Sequence, residues 1–326
     1  MSHRKLFAKL MIGSAVFAAM TPGHAAAPYP ERPIRVVVTS SPGSGLDTVA
    51  RTLSDDLGSA LGQPVIVENK AGAAGIPGTQ EIVASAPNGY TLGLVSSNHA
   101  INPSLNKSLP YDSVKDLTAI TLIGTVPLVL AVPAKSPYKS VQDLIKAARD
   151  KPSVLNYGSS GAGSALHLAT LLLETKAGMK MTHIPYKGGS ALVTDLISGQ
   201  IDAAFLAIPT AHAQIKAGTI KALGVSAKDR LALLPDTPSL QEAGVKDYEY
   251  VPWIGLIGPA GLDKDKVALL QKKVSEVAAL PKVKNAFDAQ GFTPNVSTPE
   301  QFLDTIRRDI DLSATLIKQA DIQPGS

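Results

Sequence analysis

The chain has 326 residues, 44% hydrophobic and 18% charged, with 31 Lys and Arg against 27 Asp and Glu and no cysteine. That composition belongs to a globular core long enough for two lobes, and it excludes a disordered tail, disulfides and thiol catalysis. The basic excess is local: without Arg4, Lys5 and Lys9 at the start, 28 basic residues face 27 acidic ones, +1 in place of +4, so nucleic-acid binding loses its compositional support.

Those three basic residues open a segment that continues as an apolar run, Leu10 to Met20, and small residues from Gly23 to Ala27. This is the pattern of a secretory signal peptide, with cleavage expected near residues 25–27, and its apolar part is too short to span a bilayer. The later run from Ile120 to Ala134 is broken by Gly124, Pro127 and Pro133. With no cysteine to carry a lipid anchor, the expectation is an exported, soluble, unanchored protein of the periplasm.

Ile34 to Val38 predicts a buried strand, Thr39 to Gly45 a small-residue loop, and Val49, Leu53 and Leu57 the apolar stripe of a helix. Pro64 to Glu68 is a second strand, followed by the loop Asn69 to Gly75 and a helix over 76–86. Tyr90 to Ser97 is a third strand, ending in Ser96-Ser97-Asn98-His99. Three strand–loop–helix units predict a parallel α/β sheet, whose ligands sit at the carboxyl ends of the strands.

Thr118 to Ala134 reads as one strand leaving the first lobe and another entering a second. There, 140–149 predict a helix, Val154 to Tyr157 a strand, Gly158 to Ser164 a loop, and the Leu-rich stretch from Leu166 the next helix. Thr182 to Tyr186, Ala203 to Ile208 and Ile220 to Ser226 are further strands, and Trp253 to Gly258 returns to the first lobe. Two helices close the chain, the second opening at Thr298 with Pro299 and Gln301 as start signals and Leu303, Ile306, Ile310 and Ile317 as its core stripe. No internal repeat is visible.

Catalytic templates fail. There is no G-x-S-x-G, Gly158 to Ser164 lacks the lysine of a phosphate loop, and Gly43 to Thr48 lacks the last glycine of a dinucleotide fingerprint. His99, His167, His183 and His212 have no metal-ligand spacing. No enzyme, metal or cofactor is therefore expected. What remains suits the holding of an acid. Ser40, Ser41 and Ser44 bring hydroxyls to the first loop, while Ser159, Ser160 and Ser164 bring them to the loop after the strand Val154 to Tyr157, where Ser164 caps the helix. A helix start with free N–H donors attracts anions, although the same small residues also serve a tight turn. Asp47 either holds its own loop or receives a ligand's amino group, and Asp202 is equally ambiguous. Tyr186, Lys187 and Gly188 form a cleft edge or a tight turn.

Taken together, YPERPIRVVV, the Gly43, Asp47, Ala50, Arg51 pattern, VENKAGAAG, PNGYTL, NPSL, LPYD, NYGSSGAGSALHLA, HIPYKG, SGQID, GPAG and TPEQF span nearly all of the exported chain. In this order they resemble the Bug-type (Bordetella uptake gene) periplasmic solute-binding proteins of tripartite tricarboxylate transporters. The resemblance implies a two-lobed periplasmic-binding-protein fold (type II, Venus-flytrap), each lobe a mainly parallel α/β sheet flanked by helices. It implies a carboxylated ligand clamped by residues 41–47, with Gly45 and Leu46 at the helix start and Ala73, Ala74 and Gly75 in support. By the same resemblance, Gly158 to Ser164, Tyr186 to Gly188 and Ala207-Ile208-Pro209 are expected to face that clamp. Thr39-Ser40 replaces a common proline and aromatic, and Ser44 and Leu46 depart from a glycine and a small residue. The expectation from these departures is room at Ser40 for a bulkier or aromatic acid and apolar contact from Leu46.

The expected lobes are 28–125 plus 251–326 and 126–250. The expected ligand-binding set is Ser40, Ser41, Ser44, Gly45, Leu46, Asp47, Ala74, Asn98, Ser159, Ser160, Ser164, Tyr186, Lys187 and Pro209. The expected activity is capture of a small aliphatic or aromatic mono- or dicarboxylate by a monomer, for large and small integral membrane permease subunits. Presentation to a sensor kinase is the alternative, and a periplasmic enzyme the remotest reading.

Overall fold

The computed structural model describes residues 29–186 and 189–323; the expected signal peptide and Lys187 with Gly188 lie outside them. The chain begins with β1 (Ile34–Val38), α1 (Gly45–Leu61), β2 (Val65–Asn69), a single 3-10 turn (Ala73–Gly75), α2 (Ile76–Val83), β3 (Thr91–Ser96), α3 (Asn98–Leu105) and β4 (Leu117–Thr125). A second sheet is then built from β5 (Leu128–Pro133), α4 (Val141–Asp150), β6 (Asn156–Ser159), α5 (Ala165–Ala177), β7 (Thr182–Pro185), α6 (Gly189–Ser198), β8 (Ala203–Ala207), α7 (Ile208–Lys216) and β9 (Ile220–Val225). The chain returns through β10 (Trp253–Pro259) and ends with α8 (Lys264–Ala278), α9 (Pro281–Ala289), β11 (Thr293–Pro294) and α10 (Pro299–Gln319).

The result is a two-lobed α/β protein. One sheet has the order β11-β4-β10-β3-β1-β2 and the other β7-β6-β8-β5-β9. β1 pairs in parallel with β2 and β3, and β6 with β7 and β8, because helical crossovers join them. The strands that carry the chain between lobes run against their neighbours: β10 is antiparallel to β3 and β4, and β5 to β8 and β9. β5 is buried along its whole length, which is why it reads as an unbroken apolar run, while β1 is buried except at Arg35, whose guanidinium reaches out to Glu68 and Glu81. The stripe Val49, Leu53, Leu57 packs with Val36, Val38 and Leu94 in the first core, and Leu168, Leu172 and Phe205 belong to the second.

The sequence reading named no helix over 98–105, 189–198 or 208–216, and three further details differ from it. β6 starts at Asn156, two residues late, because Asp202 accepts the Asn156 N–H at 2.8 Å and sets the register, leaving Val154 outside and 61% exposed. Asp202 is thereby a strand staple. Three helices close the chain, α9 being the short one, which opens with a proline. On α10 the buried residues are Phe302, Ile306, Ser313, Leu316 and Ile317, with Leu303 and Ile310 only partly covered.

That shift has a physical cause. The first half of α10 packs on the first sheet, where Phe302 meets Trp253 edge-on at 5.2 Å. Its last turns join the core of the second, beside Leu171 and Leu172. One helix thus serves two cores facing different directions. Its capping box at Thr298 and Gln301 is formed as expected.

Phe302 is fully buried, with its ring over Gly255, where a Cβ would lie 2.1 Å from Cζ. Phe302→Ala is expected to cost about 3–5 kcal/mol, read as a lower urea midpoint.

Candidate ligand-binding site

A cavity of about 480 Å3 opens between the lobes at the carboxyl ends of β1, β3 and β6. The first lobe lines it with Gly45 and Leu46 at the start of α1, Ala74 of the 3-10 turn, Ser96, Ser97 and Asn98, and Ile101, Asn102 and Leu105 of α3. The second contributes Ser160 and Ala162 to Ala165, and the crossing segments add Val126, Leu128 and Pro252 to Ile254. None of these lining residues carries a charged side chain.

The first turns of α1, α3 and α5 all border this space, and the leading N–H groups of a helix have no partner within it. Their partial positive charge faces a cavity otherwise walled by Leu46, Ile101, Leu105, Val126, Leu128 and Trp253. Such a space accepts an anionic group at the helix starts and an apolar body against the walls. It offers neither a nucleophile–base pair nor, among the described residues, a metal-binding cluster.

Of the expected residues, Gly45, Leu46, Ala74, Asn98, Ser160 and Ser164 line the cavity. Ser40, Ser41, Ser44 and Asp47 shape the loop behind it. The Ser40 and Ser44 hydroxyls share a 2.6 Å hydrogen bond, the Ser41 carbonyl accepts the Ser44 N–H at 3.2 Å, and Ser44 caps α1. Asp47, only 3% exposed, accepts from Arg51 Nε at 3.0 Å, Gly43 N at 2.8 Å and Asn69 Nδ2 at 2.9 Å. The Arg51 bond, aided by the other two, holds its carboxyl below the usual range against burial. Asp47 therefore fills the structural one of its two readings. Ser40 spends its hydroxyl on Ser44 and is not among the lining residues, whereas Leu46 is.

Ser159 is fully buried, and its Oγ lies 2.6 Å from His183 Nε2. The Tyr186 hydroxyl donates to Asp195 Oδ2 at 2.7 Å, and burial followed by that carboxylate pushes its pKa up to about 12. Pro209 opens α7 at a separate seam, where Ile208 faces Gly291 of the first lobe. Sequence reasoning missed Ile101, Asn102, Leu105, Val126, Leu128 and Trp253. Helix α3 is eight residues long with Pro103 inside, so its only trace was the NPSL segment.

Behind the second-lobe loop, the rings of His167 and His183 stack with centroids 3.8 Å apart, and Tyr157 lies 5.0 Å from His183. Gly163 N donates to His167 Nδ1 at 2.9 Å. Desolvation pushes His167 down to about 3 and His183 down to about 4, so both stay neutral.

Residues 49–322 match the family described as "Tripartite tricarboxylate transporter family receptor". The chain belongs to that family. Protein BugT of Bordetella pertussis is 36% identical over 293 residues, covering 89% of this chain and 90% of BugT. Among solved structures, R. palustris Rpa4515 with adipate is 28% identical with a TM-score of 0.78, covering 91% of this receptor and 100% of that chain. MatC from Rhodopseudomonas palustris with bound malate is 27% identical with a TM-score of 0.73, covering 89% and 100%. The tripartite tricarboxylate transporter receptors are periplasmic solute-binding proteins, not enzymes, and this receptor is one of them. Among its described residues no helix is long and apolar enough to cross a membrane.

The buried imidazoles make the receptor's stability depend on pH. His99, 2% exposed, is pushed down to about 4 by desolvation, and His167, 4% exposed, to about 3, from an ordinary 6.5. Below 6.5 the unfolded chain binds protons that the folded protein refuses, so stability falls as pH drops from about 6.5 towards 4. The slope is up to about 1.4 kcal/mol per pH unit for each fully buried histidine. Glu174 and Asp309, raised by burial, act in the opposite sense nearer the carboxylate range. Melting temperatures are expected to hold from pH 7.5 to about 6.5 and to fall from there to pH 5, and His99→Gln to flatten that fall.

Proposed function

We propose that this receptor captures a small carboxylate in the interlobe cavity and delivers it to the large and small membrane subunits of a tripartite tricarboxylate transporter. The carrying observation is the convergence of three helix starts on one uncharged, largely apolar cavity. A carboxylate at such a site gains N–H donors and the positive helix ends without a buried cation to desolvate. The names of the two Rhodopseudomonas neighbours, with adipate and malate, support a carboxylate over a sugar or a metal. The walls suit aliphatic and aromatic acids alike.

In this reading the protein is exported, with its leader cut near residues 25–27, and acts as a monomer. The moving bodies are 28–125 plus 251–326 and 126–250. They swing about Val126 and Pro252, which are joined by a 2.7 Å backbone hydrogen bond. Closure follows from the ligand's extra contacts in the closed state.

Refolded, ligand-free protein is expected to melt higher with one class of carboxylate and unchanged with neutral sugars. An acid at a hundred times its dissociation constant adds about 2.7 kcal/mol to stability. A panel of aliphatic, aromatic and hydroxylated acids reads this directly, and no response to any acid would refute capture. In cells, deletion is expected to abolish uptake of the responding acid; loss of gene induction with uptake intact would mean presentation to a sensor.

A further inference from the structure

The two loops that meet at the cavity are built alike, although the sequence shows no repeat. The segments are Gly43-Ser44-Gly45-Leu46-Asp47 and Gly163-Ser164-Ala165-Leu166-His167. In each, a glycine with left-handed φ, 77° or 70°, precedes the capping serine, a conformation that bulkier residues resist. The serines share one backbone conformation, φ −72° and ψ 162° against φ −67° and ψ 161°. Each serine hydroxyl accepts the N–H three residues on, at 3.2 and 3.3 Å. The side chain of that third residue then reaches back and accepts the glycine N–H, at 2.8 Å for Asp47 and 2.9 Å for His167. Each loop is thus a capping box displaced by one residue.

Only the acceptor differs. Asp47 is a carboxylate neutralised by Arg51 four residues on; the corresponding position after His167 is Leu171, 5% exposed in the second core. A carboxylate at 167 would lack that i,i+4 cation and set a buried negative charge beside the cavity. A neutral imidazole makes the same hydrogen bond without it. The surroundings fix its form. Because Nδ1 accepts from Gly163, His167 carries its proton on Nε2. Ser159 Oγ donates to the Gly161 carbonyl at 2.9 Å and accepts the Gly161 N–H at 3.2 Å, which leaves His183 Nε2–H as a donor to Ser159. The stacked pair therefore supports both glycines of the loop.

We infer that His167, backed by His183 and Ser159, is the positioning residue of the second-lobe clamp, an uncharged counterpart of the Asp47–Arg51 pair in the first. It is not among the residues that line the cavity. It sets the backbone of Gly161 to Ser164 so that Ser160, Ala162 and the start of α5 meet the acid, and this role rests on the carboxylate-capture reading above.

The test compares wild type with His167→Leu, which removes the acceptor, and His167→Asn, which restores an uncharged one close to the ring. Amide exchange at Gly163 is followed by NMR, and binding of adipate and of malate by calorimetry. His167→Leu is expected to speed exchange at Gly163 about tenfold, with the α5 interior still protected, and to weaken the acid that wild type prefers by about tenfold, the worth of one lost hydrogen bond. His167→Asn is expected to stay close to wild type in both. Ser159→Ala, which loosens the clamp from its other support, is expected to speed exchange at Gly161 and to weaken the same acid. Unchanged exchange and affinity in His167→Leu, or equal losses in the Leu and Asn variants, would overturn the inference. If wild type binds neither acid, the carboxylate reading fails for these probes, while Gly163 exchange still decides the role of His167.

Discussion

The architecture of the cavity depends on one constraint: the first N–H groups of a helix have no acceptor inside it. In this receptor the opening turns of α1, α3 and α5 border one space. Such an arrangement is stable only if the loops behind the helix starts satisfy their own polar groups. Ser44 and Asp47 do so in the first lobe, and Ser164 with His167 in the second. Charge is kept off the cavity wall because each acceptor is either neutral or neutralised.

A second constraint comes from the crossings. Three passages tie the lobes together: the step from β4 to β5, the return into β10, and α10, which lies across both cores. Trp253 belongs to the cavity wall and to this crossing at once, since its indole N–H donates to Asp309 Oδ2 of α10 at 2.7 Å. Burial raises the Asp309 carboxyl, while the Trp253 and Arg308 hydrogen bonds pull it back down. The cavity wall is thereby joined by a hydrogen bond to the helix that packs on both cores.

Much of the fold was legible along the chain because its elements obey local rules. The stretch Ile34 to Val38 read as a buried strand, Thr118 to Ala134 as two strands passing between lobes, and Thr298 to Gln301 announced α10 by its own capping chemistry. Errors arose where the deciding partner was distant. The start of β6 was set by Asp202, forty-six residues away, and the buried face of α10 by two cores instead of one. The site divides the same way. Small loops at strand ends marked Gly45, Asn98, Ser160 and Ser164, and the family resemblance added Leu46, but the apolar walls from α3 and the crossings had no local signature.

By itself the sequence determined the two-lobed α/β plan, the placing of small-residue loops at the carboxyl ends of strands, and the absence of thiol chemistry, since hydrophobic period and turn chemistry act within a few residues. Tertiary structure decided which polar groups face the cavity and which serve the loops. Ser40 and Ser44 were equivalent candidates until one hydrogen bond paired them, and His167 and His183 were unrelated until β7 laid one ring on the other. The physical reason is that a side chain's role depends on which donors and acceptors surround it, and those neighbours come from remote parts of the chain.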